Sequence, residues 1–526
     1  MKKKIYLTIM FVALMSFISD AKIKMPSIFG DNMLLQRNSN VKIWGKADAN
    51  AKVDVEFASQ KKSTQADANG NWSLRLDKMP ANKNPQEMKI SENGKLGKTI
   101  KDILVGEVWI AGGQSNMQWR LAKSTNGAKY VAQANNPLIR YYNQNTRALS
   151  KTPAFDTTNG KWTKPSPKVA GNYSAVGYLF AKKLQKDLDV PVGIIFTALG
   201  GSKMIAWIPE ENLERLDYTK SVLEGFKKKN ATYSYEDALK KWEKDFNDWK
   251  KERDSLKAQN KKIKTKLPEK PNELTSIRVT FTPSWLYNGI VAPLVNYSVR
   301  GVIWYQGEAD SGGLFPTEIA SPLGYSLQHF SKQMELLIQS WREKFDNPNM
   351  PFIQAQLASY MKQYDRDWGR ARWEQYQTTK RVPYCYMANL IDCGEEKDIH
   401  PKDKTTVANR MCNIALCEVY GKKDIRPYGP EMSSVQYDKD SALVSFNTFG
   451  KKLIGKGEPQ GFVVRVGKKW TPAKAEFMGN KVKVSSLNGK EISGVRYLWK
   501  DWARPNVWLF SEDGLPAVSF TNEKNN

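Results

Sequence analysis

A serine that could act as a nucleophile lies in the sequence GGQSNM, residues 112–117. This sequence follows an apolar stretch, residues 105–111, which predicts a buried strand with a helix after it. Two glycines permit the sharp turn that would expose Ser115 at the carboxyl edge of a sheet, where helix N–H groups can stabilise an oxyanion. The chemistry would be acyl transfer. The pattern is not the G-x-S-x-G elbow, and taken alone it also fits a serine that caps a helix.

A nucleophilic serine needs a general base, and the chain contains only two histidines, His329 and His400. His329 falls within a predicted amphipathic helix, residues 325–345, where a packed or surface role is expected. His400 falls in a polar loop after a predicted strand, residues 384–391. We therefore expect His400 to lie at the same sheet edge as Ser115 and to act as the base.

Asp398 lies two residues before His400 and could orient the imidazole and stabilise its charged form. An ordinary turn residue is the alternative interpretation of Asp398. Three nearby carboxylates, Asp392, Glu395 and Glu396, compete for the same role.

Two further strand ends are expected at this edge. The sequence LGGS, residues 199–202, follows one apolar stretch, and WYQGEAD, residues 304–310, ends another. The Gly201 N–H and the Gln306 side-chain amide are suitable oxyanion donors. The glycine could instead belong to an ordinary turn, and the glutamine could be a buried amide. Four polar or glycine-rich strand ends, one with a serine and one with a non-helical histidine, together favour a catalytic site.

These side chains must be positioned by an α/β fold. Residues 101–425 alternate strands and helices, which predicts a parallel sheet with helices on both faces and ligands at the carboxyl ends of the strands. Residues 22–100 and 426–526 carry the short runs and turn signals of β-rich segments. Residues 210–270 interrupt the α/β pattern and predict a helical-hairpin insertion.

The insertion carries apolar side chains at heptad spacing. The seam consists of Leu239, Trp242, Phe246, Trp249 and Leu256. We expect it to face a second helix that carries Leu213, Leu216, Leu223 and Phe226. A contact between two copies of the chain is the alternative.

Composition excludes several classes of protein. The chain has 526 residues, of which 40% are hydrophobic and 26% charged, so it is not an integral membrane protein, a collagen or a wholly disordered chain. A net charge of +27 attracts acidic partners. The lysines are spread along the chain and no RNA or DNA module is recognisable, so no nucleic-acid partner is expected. An acidic glycan is another partner that this charge would favour.

The N-terminus predicts export. Three lysines at positions 2–4 precede an apolar run, residues 5–18, and a small residue, Ala21, in the pattern of a signal peptide. We expect residues 1–21 to be removed, which gives a periplasmic or secreted protein without a membrane segment.

The four cysteines lie close together in the sequence. They are Cys385, Cys393, Cys412 and Cys417. In an exported protein they could form one or two local disulfides or remain buried thiols, and their spacing matches no zinc site.

Several sequences together resemble the sialate O-acetylesterases of the SGNH hydrolase superfamily. They are VGEVWIAGGQSNMQW (105–119), GVIWYQGEAD (301–310), DIHPKDK (398–404), MPSIFGDNMLLQR (25–37), WLYNGIVAPLV (285–295) and residues 496–505. The resemblance implies a flavodoxin-like α/β hydrolase domain with accompanying β modules. It also implies release of acetate from O-acetylated sialic acid, without a metal or organic cofactor.

The resemblance implies roles for individual residues. Ser115 matches the nucleophile and His400 the base. The Ser115 N–H, Gly201 and Gln306 match the oxyanion hole, with Gln306 standing where many SGNH enzymes have asparagine.

The third catalytic residue stays open. SGNH enzymes commonly have aspartate three residues before the histidine, where this chain has Lys397. Asp398 is therefore one interpretation, a Ser–His dyad a second, and a role for Glu308 a third.

The substrate contacts are also expected to differ from those of relatives, which often have threonine and glutamate where this chain has Ser202 and Ile205. Candidate contacts are Gln114, Asn116, Glu308 and Arg120, and candidate partners for a sialic acid carboxylate are Arg120, Lys203 and Arg372. Two other functions remain open: an acetylesterase that acts on xylan or pectin, and a glycan-binding protein without catalysis.

Overall fold

A computed structural model describes residues 23–311, 324, 326–361 and 367–524. The predicted signal peptide, residues 1–21, lies outside the described residues. Within the described ranges, no helix combines the length and the apolar composition that a membrane span requires.

A central mixed sheet organises most of the chain. Its parallel part has the order β13-β12-β11-β7-β10-β8, and β9 adds to β8 in the antiparallel direction. These strands are β7 (Lys95–Gly113), β8 (Ile139–Asn143), β9 (Lys161–Thr163), β10 (Val192–Ala198), β11 (Gly301–Tyr305), β12 (Phe352–Ala355) and β13 (Cys385–Ala388). Strands β10, β11 and β12 are buried along their whole length, because their apolar runs are covered on both faces. The predicted α/β class is confirmed.

Side chains of β7 alternate between two cores, as the pleat of a strand requires. Val108 and Ile110 join the core that contains the helix Phe330–Lys344, whereas Trp109 and Ala111 join the core that contains the helices Ala175–Leu188 and Thr405–Ile414. The helices in the body of this domain are α1 (Ser115–Gln118), α2 (Gly127–Ala132), α3 (Ala175–Leu188), α7 (Phe330–Lys344), α8 (Trp368–Arg381) and α9 (Thr405–Ile414). Helix α3 begins where the Ser174 hydroxyl accepts a hydrogen bond from the Gly177 N–H, a standard N-cap.

The N-terminal strands join the same sheet through the first half of β7. Strand β1 pairs with β7 in parallel, β6 pairs with β7 in the antiparallel direction, and β3 links β6 to β4, while β2 and β5 pair separately. Their bounds are β1 (Leu34–Gln36), β2 (Val41–Lys46), β3 (Lys52–Phe57), β4 (Gln60–Gln65), β5 (Asn71–Leu76) and β6 (Asn82–Glu92). Strand β7 is continuous across residue 100, where the sequence predicts a domain boundary. No break in secondary structure marks that boundary, which stays a prediction.

The insertion contains three helices, α4 (Glu210–Leu213), α5 (Asp217–Ala231) and α6 (Tyr235–Ala258). Helix α6 has no buried residue, and the indole N–H groups of Trp242 and Trp249 donate to the carbonyls of Pro268 and Thr265, at 3.1 Å and 3.2 Å. The returning segment therefore lies along the aromatic seam. The expectation that α5 faces this seam is wrong, because its buried side chains pack elsewhere. Leu223 joins the core that contains α7, and Phe226 packs in a small cluster with Phe281 and Trp285.

The C-terminal region is β-rich, as predicted. Seven strands form an antiparallel sheet in the order β14-β15-β19-β18-β17-β20-β22, and β16 pairs with β21. Their bounds are β14 (Glu431–Asp438), β15 (Ser441–Asn447), β16 (Leu453–Gly455), β17 (Phe462–Val466), β18 (Lys469–Met478), β19 (Lys481–Ser486), β20 (Gly494–Tyr497), β21 (Leu509–Ser511) and β22 (Phe520–Glu523).

The Arg372 side chain joins this region to α8. It is fully buried, and its guanidinium donates to the carbonyls of Lys500 and Asp501. Arg372 therefore cannot meet the carboxylate of a substrate, and that expectation is wrong.

All four cysteines are free thiols, which resolves the alternative left by the sequence. Burial raises the pKa of Cys385, Cys393 and Cys412 to about 12. Thiols with such pKa values carry almost no thiolate at neutral pH and are poor nucleophiles.

A buried carboxylate connects the N-terminal strands to the sheet. Glu107 on β7 is fully buried and accepts hydrogen bonds from Arg37, Arg300 and Gln36, at 2.5 Å, 2.8 Å and 3.0 Å. Burial by itself would raise the pKa of Glu107, but the two guanidinium groups outweigh it and lower that pKa.

Replacing this carboxylate, Glu107→Gln, is expected to lower the free energy of unfolding by about 3 kcal/mol, because two partly buried arginines lose their counter-charge. Urea unfolding measures the change. Glu56→Gln is the matched control, since its ion pair with Lys61 is exposed to solvent, so its loss should change the free energy of unfolding much less. Because the pKa of Glu107 is lowered in the folded state, its contribution is present at neutral pH and is lost as the pH falls through the acid range. Equal destabilisation by the two substitutions would contradict this account.

Candidate active site

The three central strands end at one level, and the register explains why. Gly113 at the end of β7 is paired with Ala198 at the end of β10 and with Tyr305 at the end of β11. The segments that follow these strands, with Ser115, Gly201 and Gln306, therefore begin side by side. This is the convergence that the sequence predicts for parallel strands.

A glycine is required at the end of β7. Gly113 has a φ of +128°, and a Cβ there would lie 2.2 Å from the carbonyl oxygen of Tyr305. The same carbonyl accepts a hydrogen bond from the Gln114 N–H at 2.9 Å, and α1 begins at the next residue, Ser115. The close approach of β7 and β11 thus places the serine at the first position of a helix, where its own N–H has no partner within the helix.

The structure brings Ser115 and His400 together across 285 positions of sequence. The Ser115 Oγ lies 2.9 Å from the His400 Nε2. The half-buried imidazole stacks on the Trp119 ring, with 5.3 Å between the ring centroids and an interplanar angle of 19°. This distance lies within the range over which a general base can take a proton from a hydroxyl.

Asp398 lies on the other side of the imidazole. Its Oδ1 accepts a hydrogen bond from the His400 backbone N–H at 2.9 Å and lies 3.7 Å from the His400 Nδ1. Burial of the ring lowers the pKa of His400, and the Lys404 ammonium lowers it further, while the Asp398 carboxylate acts in the opposite direction. A lowered pKa keeps the imidazole unprotonated at pH values near 7, and therefore able to accept a proton.

The loop after β10 carries the second predicted oxyanion donor. The Gly200 N–H donates to the Gln118 Oε1 at 2.9 Å, which fixes this loop against α1. Gly201 has a φ of +75° and is exposed, and no hydrogen bond to a described residue engages its N–H. The peptide at Gly201 is thus available to a ligand beside Ser115.

The Gln306 side chain is buried at the end of β11. Its Nε2 donates to the Ser202 carbonyl at 3.2 Å and to the Asp310 carboxylate. Both N–H groups are engaged by these acceptors, so an oxyanion role requires one of them to change partner when substrate binds. The role of Gln306 stays a prediction.

The candidate substrate contacts have different environments. Asn116 and Glu308 are buried and hydrogen-bonded to each other. Gln114 is buried too, and its Oε1 accepts from the Gly307 N–H at 3.3 Å, which holds the loop after β11. Arg120 is exposed at the end of the α1 segment. Of the four, Arg120 is the one whose side chain is open to a ligand from solvent.

Two residues to which no role is predicted from the sequence also contact the site. Trp119 supports the imidazole, and Lys404 is fully buried beside Asn116. Each lies four residues after a predicted catalytic residue, so a search of the flanking sequence for aromatic or basic side chains at that spacing would have found both. Lys203, a candidate carboxylate partner, is fully buried and donates to the Ala309 carbonyl at 2.9 Å.

In the part of the chain that the structure describes, no group of three or more histidine, cysteine, aspartate or glutamate side chains could hold a metal ion. The chemistry that the described residues offer is nucleophilic attack by a hydroxyl with an imidazole base and backbone donors for the developing negative charge.

Known proteins are similar to this chain in sequence and in fold. A family model described as a carbohydrate esterase, sialic acid-specific acetylesterase, matches residues 105–253 and 275–416. The chain is 24% identical to the sialate O-acetylesterase of Mus musculus over 522 residues, covering 90% of this chain and 89% of the mouse protein. It is 24% identical to that of Homo sapiens over 523 residues, covering 90% and 87%. The crystal structure of a carbohydrate acetylesterase from Xanthomonas citri is similar at a TM-score of 0.78 and 27% identity, covering 95% of this chain and 99% of that one.

Proposed function

The chain belongs to the sialic acid-specific acetylesterase family of carbohydrate esterases, and from this premise we propose that it removes acetyl groups from O-acetylated sialic acid with Ser115 as nucleophile and His400 as base. The resemblance predicted from the sequence is confirmed, and the protein is an esterase. The observation that carries the proposed chemistry is the 2.9 Å contact between the serine hydroxyl and the imidazole at the converging strand ends.

In the proposed reaction, the Ser115 Oγ attacks the acetyl carbonyl while its proton passes to the His400 Nε2. The tetrahedral oxyanion accepts hydrogen bonds from the N–H groups of Ser115 and Gly201, and from the Gln306 side-chain amide after one of its N–H groups has changed partner. The imidazolium then gives its proton to the departing sugar oxygen, which leaves an acetyl-serine and a free hydroxyl. Water, deprotonated by the same imidazole, attacks the acetyl carbon, and the imidazolium returns the proton to the Ser115 Oγ as its bond to the acetyl group breaks. Acetate leaves and the serine is restored.

We assign Asp398 as the third residue of the proposed triad. Its carboxylate lies on the Nδ1 side of the His400 ring, so it stabilises the imidazolium that forms when the base takes a proton. The 3.7 Å separation exceeds a direct hydrogen bond, so Asp398 acts on the imidazole through its charge, which favours the protonated form of His400. A Ser–His dyad is distinguished by Asp398→Asn, which would then leave kcat little changed.

Gln306 provides a test of the oxyanion hole. Gln306→Ala is expected to lower kcat for p-nitrophenyl acetate by roughly 10²-fold, the usual effect of removing one oxyanion donor. Steady-state kinetics at saturating substrate measure it. Gln339→Ala, on the exposed face of α7, is the matched control and should leave kcat unchanged. A loss below tenfold would remove Gln306 from the oxyanion hole and leave the two backbone N–H groups in that role.

The proposed substrate follows from the family and from charge. Sialic acid carries a carboxylate, and the chain has a net charge of +27, with Arg120 exposed beside α1. The decisive experiment measures acetate release from O-acetylated sialic acids, acetyl-xylan and acetyl-pectin. We expect release from the sialic acids. Release only from the plant polymers would overturn this substrate, and release from none of them would contradict the proposed function.

We also propose that the protein is exported after cleavage at Ala21. The support is the basic, apolar and small-residue pattern of residues 1–21. Mass spectrometry of the N-terminal peptide of protein isolated from its native cells tests it. A peptide that begins at residue 22 is expected, and a peptide that retains residues 1–21 would contradict export.

A further inference from the structure

The side chain next to the serine connects three separate segments of the chain. Asn116 is 2% exposed, and its Nδ2 donates to a carboxylate oxygen of Glu308 in the loop after β11. The same Nδ2 donates to the carbonyl of Ile399 at 3.0 Å, and the Oδ1 accepts from the Lys404 Nζ at 2.5 Å. One amide therefore joins the residue after the nucleophile to the residue before the base.

Lys404 is a buried cation with an aromatic environment. It is fully buried, and its Nζ lies 5.5 Å from the ring centroid of Tyr305 and 5.8 Å from that of Trp119, the ring that stacks on His400. Burial lowers the pKa of Lys404 to about 8, while the charges of nearby carboxylates, Glu308 first among them, act against this decrease. A buried charge of this kind is costly unless its neighbours are arranged around it.

The charges on either side of Asn116 determine which way its amide points. The Oδ1 faces an ammonium and the Nδ2 faces a carboxylate, so a flipped amide would place its oxygen against Glu308 and its N–H groups against Lys404. That orientation is repulsive on both sides. The Lys404 charge thus keeps the Asn116 N–H directed at the carbonyl of Ile399.

We propose that Asn116 and Lys404 are positioning residues, which hold the His400 loop at the distance from α1 that allows the imidazole to meet the Ser115 hydroxyl. This inference rests on the proposed function, because it assigns a purpose to the Ser–His contact. It also differs from the expectation that Asn116 contacts substrate, since the polar atoms of its side chain are already engaged within the protein.

Lys404→Met, which keeps the length of the side chain and removes its charge, is the first test. A displacement of about 1 Å between reacting groups costs roughly 10²-fold in rate, so kcat for p-nitrophenyl acetate should fall by about that factor while KM changes little. Because the Lys404 charge lowers the pKa of His400, its removal raises that pKa, and the acid limb of the pH profile should move to higher pH.

Several charged groups surround His400 and Lys404. Asp398 and Lys404 act on His400, and Glu308, Asp398, Asp403 and Glu395 act on Lys404. Lys404→Arg keeps the charge, so we expect the acid limb to stay near that of the unmodified enzyme. An acid limb displaced equally by the arginine and methionine variants would overturn the electrostatic part of the inference.

Asn116→Ala separates geometry from charge and serves if Lys404→Met does not fold. The loop loses its contact with the amide, so kcat should fall by roughly 10²-fold with KM little changed. The Lys404 charge remains, so the acid limb of the pH profile should stay in place. A variant that raises KM and keeps kcat would identify Asn116 as a substrate contact and overturn the inference.

Lys451→Met is the matched control, because Lys451 is a buried lysine that pairs with Asp513 in the C-terminal region. It should lower stability and leave kcat and the pH profile unchanged, and a displaced acid limb in this control would overturn the assignment to Lys404. Absence of turnover in the unmodified enzyme would contradict the proposed function itself. Normal turnover in that enzyme together with unchanged kcat in Lys404→Met and Asn116→Ala would contradict only the inference.

Discussion

Ser115→Ala is expected to lower kcat/KM for p-nitrophenyl acetate by roughly 10⁴-fold or more, because the proposed acyl-enzyme cannot form without the hydroxyl. The effect should appear in kcat, since the serine oxygen bonds to the acetyl carbon during the reaction. The fold should be unaffected. Ser115 lies in a helix of only four residues, and the contact that its Oγ makes is with the half-buried imidazole of His400 and not with the core. Steady-state turnover and circular dichroism measure the two properties.

Ser124→Ala is the matched control for this loss. Its hydroxyl is buried in the turn that follows the site and donates to the Leu121 carbonyl at 2.7 Å. We expect normal kcat in this variant and a small decrease in stability, typical of one lost hydrogen bond. If Ser115→Ala retained turnover within tenfold of the unmodified enzyme, Ser115 would not be the nucleophile.

His400→Ala is expected to lower kcat by a similar factor, roughly 10⁴-fold, because it removes the base that takes the hydroxyl proton. The loss should not add to that of Ser115→Ala, since the two groups act as one unit in the proposed mechanism. Kinetics of both single variants and of the double variant measure this non-additivity.

The second histidine of the chain supplies the control. His329 stacks on the Tyr218 ring, with 4.5 Å between centroids, so His329→Phe keeps an aromatic ring in that contact and should leave kcat unchanged. Fully additive losses in the Ser115 and His400 variants would indicate that the two residues act independently, contrary to the proposed relay.

The convergence of the strand ends could be predicted from sequence, for a physical reason. An apolar strand that ends in GG, followed much later by one that ends in YQGE, places both ends at the carboxyl edge of a parallel sheet. The register then aligns Gly113 with Tyr305, as the common edge requires. The approach of His400 to Ser115 follows from the same rule, because a polar loop after an edge strand reaches the same rim.

The supporting contacts could not be predicted, because they depend on side chains that are far apart in sequence. The bonds of Asn116 to Glu308 and to Lys404 span 192 and 288 positions, and no local pattern specifies either of them. A buried lysine is also contrary to the usual exposure of this residue type, and only the tertiary arrangement of carboxylate, amide and aromatic rings accommodates it.

The aromatic seam of α6 was predicted, whereas its partner was not. Heptad spacing favours a second helix, but an extended segment can cover a seam when its carbonyls satisfy the indole N–H groups. Here the carbonyls of Pro268 and Thr265 do so for Trp242 and Trp249. The spacing of apolar residues defines which face of a helix is covered and leaves open what covers it.

The covalent intermediate is the most direct test of the central claim. The unmodified enzyme is mixed with p-nitrophenyl acetate, quenched in acid during the first turnover and digested, and its peptides are weighed by mass spectrometry. The account predicts one added acetyl group on the peptide that contains Ser115, absent from Ser115→Ala. Rapid acetate release with no acetylated peptide, or with the acetyl group on another residue, would contradict it.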